Sequence, residues 1–136
     1  MTDDRPPPLD KELTDEFVLR AHGDLDYIEL HLAEEPQLAN ASRDWGGGDW
    51  ETALGAAAHM GRRDIALLLL DAGARMDIFA AAMLGETEIV IAMLTARPEL
   101  ATARGPHGIP LVAHAEAGGD EARGVFDLLQ HAPSGV

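Results

Sequence analysis

The sequence predicts an all-α chain, an array of about four stacked helix–turn–helix units, and three observations predict it. The stretch Thr52 to Asp77, TALGAAAHMGRRDIALLLLDAGARMD, spells one complete unit: a capping hydroxyl, an alanine-rich helix, a glycine turn, a leucine-rich helix and a closing glycine. The segment LAEEPQLANA at Leu32–Ala41 returns as LTARPELATA at Leu94–Ala103, 62 residues on, an offset of about two units of roughly 33 residues. Finally, one such helix pair cannot bury its own apolar face, so units of this kind must stack.

Taken in order, residues 1–11 read as a disordered, acidic, proline-rich tail in which Pro6 to Pro8 are extended. Residues 12–41 form a degenerate first unit, with Gly23 at its turn and Tyr27, Ile28, Leu30 and Leu32 on its core side. In the second unit, residues 42–75, Thr52 caps a short helix whose alanines 56–58 allow close approach to a neighbour. Gly61 turns the chain, and a second helix from about Arg63 to Ala72 carries Ile65, Leu68 and Leu69 at core spacing. The third unit, residues 76–103, turns at Gly85 with Ile89, Val90 and Leu94 inward. The fourth, residues 104–131, contains LVAHAEAGGDEARGVFDLL and precedes a disordered tail at 132–136. Proline four residues past the last leucine ends the helix in both echoed segments, at Pro36 and Pro98.

Thr52, Leu54, Ala57, Ala58, Gly61, Asp64, Ile65, Leu69, Leu70, Gly73 and Ala74 fall on the pattern T-P-L-H-x-A-A-x-x-G-x-x-(D/E)-I/V-x-x-L-L-x-x-G-A. The stretch thus resembles an ankyrin repeat, with Ala53 where proline is usual and Gly55 where histidine is usual. The resemblance implies an ankyrin-repeat solenoid with short or missing β-hairpin fingers. One finger would be the long segment Arg43–Glu51 with Gly46 to Gly48 at its tip, and another Arg104–Pro110. Between them, at Ala74–Asp77, the finger is effectively missing, and Gly61 and Gly85 stand only 24 residues apart.

The chain has no cysteine, which excludes disulfides, thiolate metal sites and a cysteine nucleophile. A net charge of −14 without a basic stripe argues against nucleic acid and against anionic membrane surfaces. No apolar run is long enough to span a bilayer and the N-terminus is unlike a signal peptide, so a cytoplasmic protein is expected.

The resemblance also implies a function: the concave surface of fingers and inner helices binds a protein partner. The residues just before each turn glycine would face it, His59 and Met60, Met83 and Leu84, Glu116 and Ala117. Trp45 and Trp50 are candidate contact residues, since tryptophan buries a large rigid surface at low entropy cost; the alternative is that one folds back over its neighbouring unit.

A competing reading uses the notch left by the missing finger. Its walls would be Trp45 and Trp50 on one side and Pro106, His107 and Gly108 on the other, above Arg75, Met76 and Phe79. Such a notch suits a small molecule or a small biosynthetic enzyme, with His107, His114, Asp44 and Asp49 as acid–base candidates. No nucleophile or cofactor motif accompanies them, so no cofactor is expected. His114 falls where the family packs an alanine, and is expected partly buried against a backbone carbonyl. No metal site is expected either, because the histidines are scattered over different units and lack i, i+4 spacing.

Overall fold

The computed structural model describes residues 4–131; the first three residues of the expected N-terminal tail and the expected 132–136 tail lie outside them. The described chain is a mostly helical domain of eight α-helices: α1 Lys11–Arg20, α2 Leu25–Glu34, α3 Ala53–His59, α4 Arg63–Asp71, α5 Ile78–Leu84, α6 Thr87–Ala96, α7 Leu111–Ala117 and α8 Arg123–Gln130. A two-stranded antiparallel hairpin, β1 Ser42–Asp44 and β2 Trp50–Thr52, separates α2 from α3. Among the described residues no helix is long and apolar enough to cross a membrane.

Local chemistry sets these boundaries. Short polar side chains accept orphan backbone N–H groups at helix starts: Asp24 from Tyr27, Thr52 from Gly55 and Asp77 from Ala80, at 3.1, 2.8 and 2.8 Å. Gly61 and Gly85 adopt left-handed φ of 67° and 75°, and Arg62 N–H and Glu86 N–H reach back to Ala57 O and Ala81 O. A side chain at either glycine would also collide with backbone packed against it, the carbonyls of Ala117 and Glu121. The echoed segments take the same conformation: Glu35 (φ −140°, ψ 83°) and Arg97 (φ −140°, ψ 82°) each lead into a 3-10 turn, Pro36–Asn40 and Pro98–Thr102.

The short helices α3, α5 and α7 pack side by side, and α3 also meets α7 directly. Their alanines, including Ala56, Ala57, Ala58, Ala80, Ala81 and Ala115, are buried, which lets the backbones approach closely. One core gathers Phe17, Ile28, Leu38, Leu54, Ile65 and Leu69; a second gathers Ile78, Val90, Leu111 and Val125.

Some expectations need correction. Leu30 is exposed, because α2 buries the line Ile28–Leu32, spaced i, i+4, and Leu30 sits more than half a turn away. Ile89 is exposed for the same reason, being a residue off the buried Val90. Met83 and Leu84 are buried in the core and offer no contact strip, whereas Met60 is 51% exposed. Helix α1 starts at Lys11, and Leu9 already packs on the core.

Two loops lead into the short helices α3 and α7. In the hairpin before α3, Arg43 pairs with Glu51 and Asp44 with Trp50, and Gly46, Gly47 and Gly48 all have positive φ. The loop before α7 closes with a bridge between Arg104 and Pro110 and a Gly105 N–H to Ile109 O hydrogen bond of 2.8 Å. At Ala74–Asp77 no strand forms. There Asn40 clamps the chain, donating to Gly73 O and accepting from Arg75 N–H, at 3.1 and 2.9 Å.

Candidate metal centre

Strand β2 alternates: Trp50 and Thr52 point outward and Glu51 points in, where its carboxylate is fully buried. An isolated buried carboxylate costs several kcal/mol, so it must be compensated. The indole N–H of Trp45 donates to Glu51 Oε1 at 2.9 Å. Three imidazoles converge on the other oxygen. Oε2 lies 2.8 Å from His59 Nε2, 3.1 Å from His107 Nε2 and 3.2 Å from His22 Nε2. His22 comes from the turn after α1, His59 from the last turn of α3 and His107 from the 104–110 loop.

Two of the rings are held from behind. His22 Nδ1 lies 3.1 and 2.9 Å from the carbonyls of Val18 and Leu19. His107 Nδ1 lies 2.7 Å from Asp49 Oδ2, and the His107 N–H donates to Asp49 Oδ1 at 2.8 Å. Carbonyl and carboxylate oxygens only accept, so Nδ1 carries the proton in both rings; Nε2 then donates to Glu51 when the ring is an imidazolium and presents a lone pair when the ring is neutral. His107 holds this pose with φ at 61°, a left-handed backbone uncommon for a side-chain-bearing residue; such strain persists where the surroundings over-determine it.

Electrostatics follow the geometry. Burial opposes ionisation of Glu51, but hydrogen bonds from His22, His59 and Trp45, with the nearby positive charge of His22, more than offset it and hold the carboxyl down at about 2. The bond to Glu51 raises the His22 pKa against the opposing effect of burial. The Asp49 carboxyl is lowered, chiefly by the His107 backbone N–H. The rings crowd one another, with His22 and His59 centroids 5.0 Å apart and His59 and His107 5.4 Å apart. Trp45 stands over His107 at 5.4 Å, with the Arg43 guanidinium 3.9 Å from its own ring centre.

The four donor atoms lie within 4.8 Å of one another. Three imidazole nitrogens and a carboxylate oxygen are a ligand set for zinc or a neighbouring first-row divalent ion, and a tetrahedral ion needs its donors roughly 3.3 Å apart, from bonds of about 2.0–2.1 Å. The Val18 and Leu19 carbonyls on His22, and the Asp49 carboxylate on His107, are partners of the kind that orients histidines at metal sites. The premise that sequence separation keeps the histidines apart therefore fails: positions 22, 59 and 107 meet at one carboxylate.

The remaining expected site residues fall in several places. Asp49 and His107 join the two loops, 58 residues apart in sequence. Trp45 supports Glu51, while Trp50 is 61% exposed and lines a separate recess of about 350 Å3 with Phe79 and Pro106. Arg75 and Met76 are outside that recess, and Asp44 only accepts from Gly46 N–H within the hairpin turn. His114 is fully buried, its Nδ1 3.0 Å from Pro110 O and its Nε2 without a partner among the described residues; burial lowers its pKa. Sequence patterns alone do not single out His22 and Glu51. His22 was within reach, since it directly precedes the turn glycine Gly23, as Met60 precedes Gly61. Comparison with protein-family models, curated proteins and solved structures finds no match to this chain.

Proposed function

We propose that this chain is a metal-binding helical domain in which His22, Glu51, His59 and His107 hold one divalent transition-metal ion. One observation carries the proposal: a single carboxylate oxygen faces three imidazole Nε2 atoms at 2.8–3.2 Å, and two of those rings already commit their Nδ1 proton elsewhere. Protons alone serve this arrangement poorly. A carboxylate oxygen has about two acceptor sites, so three N–H donors oversubscribe it, and two of the donors, His22 and His107, would be imidazoliums repelling one another at close range. A single cation amid four lone pairs removes both conflicts. The His107 and His22 side chains are 30% and 23% exposed, so the site has an open edge for entry, and an ion held there would supply Lewis acidity only by expanding beyond its four protein donors to take an exchangeable ligand.

This reading favours the notch between the hairpin and the His107 loop over the concave surface as the functional region. The ankyrin-type repeat remains our proposal for the scaffold, supported by the left-handed Gly61 and Gly85, the Thr52 and Asp77 caps and the matching conformations of the echoed segments. Such an array explains why residues distant in sequence meet, because successive units present their turns and loops along one edge.

The test is calorimetric titration of chelator-stripped protein with zinc chloride and nickel chloride, paired with thermal melts. One equivalent should bind per chain, and the ion should stabilise the fold by about 2.7 kcal/mol at a hundredfold excess over Kd. His59→Ala and His22→Ala should each remove most of that affinity. Absence of binding, or an equivalent that survives both substitutions, would overturn the assignment.

A further inference from the structure

The recess beside the hairpin has a chemistry of its own. It is lined by Trp50, Gly55, Asp77, Phe79, Arg104 and Pro106, among others, and its volume of about 350 Å3 lies at the small end of small-molecule sites. Arg104 donates one N–H to Gly108 O at 2.8 Å and makes no ion pair among the described residues. Asp77 uses Oδ1 to cap α5 at Ala80 N–H, which leaves Oδ2 without a hydrogen-bond partner among the described residues. Trp50 offers an exposed indole and Phe79 a second ring. The recess exists partly because position 55 is glycine: a Cβ there would press on Thr52 Oγ1 and Pro106 at 3.2 and 3.3 Å, and a longer side chain would enter the lined space.

We infer that this recess binds a small zwitterion with a flat apolar side chain, the chemistry of a free aromatic amino acid. Its carboxylate pairs with Arg104, its ammonium with the open oxygen of Asp77, and its ring packs against Trp50 and Phe79. Arginine offers a planar fork matched to a carboxylate, and a charged hydrogen bond is stronger than a neutral one. A simple anion is disfavoured because Asp49 and Asp77 share the lining, and a simple cation because Arg104 does. A ligand carrying both charges satisfies both walls.

The experiment titrates L-phenylalanine, phenylacetate and phenethylamine into 15N-labelled, metal-stripped protein and follows the Trp50 indole N–H. Phenylalanine should give a saturable shift, with each analogue at least about tenfold weaker for the loss of one charged contact. Arg104→Gln should weaken phenylalanine by a similar factor and leave phenethylamine unchanged, and Trp50→Ala, followed by the backbone amides of the recess, should weaken all three. No saturable shift of Trp50 below about 10 mM phenylalanine, or equal binding of the three probes, would overturn the inference. Because the protein is stripped of metal, the outcome is independent of whether the histidine cluster holds an ion.

Discussion

Replacing Glu51 by glutamine keeps shape and removes charge, and the consequence for stability has a definite pH signature. In the metal-free protein the Glu51 carboxyl stays ionised down to about 2, against an ordinary value of 4.5. As pH falls below 4.5 the unfolded chain takes up a proton that the folded chain refuses, so stability drains away between about 4.5 and 2. A shift of this size corresponds to something on the order of 3 kcal/mol. His22 acts from the other side. Its folded pKa is raised, so its contribution is complete below the ordinary 6.5 and is lost as pH rises through the folded value. The metal-free wild type should therefore exceed Glu51→Gln by roughly 3 kcal/mol near pH 5–6, and by less towards pH 2 and above neutrality. His114, with its lowered pKa, loses stability as pH falls from 6.5, but it is common to both proteins and cancels in the difference. Urea denaturation of both proteins in chelator from pH 3 to 8 measures that difference. A gap that does not vary with pH would refute the placement of Glu51 as the charged centre of the cluster.

Asp49→Ala should weaken zinc binding about 10- to 100-fold by freeing the His107 ring, read by calorimetry, and should also lower the metal-free melt because both hydrogen bonds that join it to His107 are lost. Leu69 is fully buried, so Leu69→Ala should cost about 2–5 kcal/mol in urea denaturation, and a melt within a degree or two of wild type would misplace the core. Gly85→Ala should destabilise by more than about 1 kcal/mol, since it adds a side chain at positive φ against the Glu121 carbonyl; unchanged stability would show that the two turns do not pack as described. Met83→Ser should lower the melting temperature, whereas Met60→Ser should leave it nearly unchanged, because only Met83 is buried.

What the sequence determined by itself is local. Caps at Thr52 and Asp77, left-handed glycines at 61 and 85, and leucine spacing in α4 are short-range chemistry, and each is legible within a few residues. The echo of Leu32–Ala41 in Leu94–Ala103 likewise announced matching local conformations. Burial was legible only where spacing fixed a unique face, as at Ile65 and Leu69. It was not legible at Leu30 and Ile89, where neighbouring apolar residues surround the helix and packing alone selects the inner line. The histidine–glutamate cluster was beyond reach for a further reason. Its donors are spread over residues 22 to 107, and no spacing rule links them, because their meeting depends on how helix pairs stack and how far two loops lean together. Only the tertiary structure brings Asp49 to His107 and turns Glu51 inward beneath three imidazoles, and a buried charge with three facing nitrogens is a property of that arrangement.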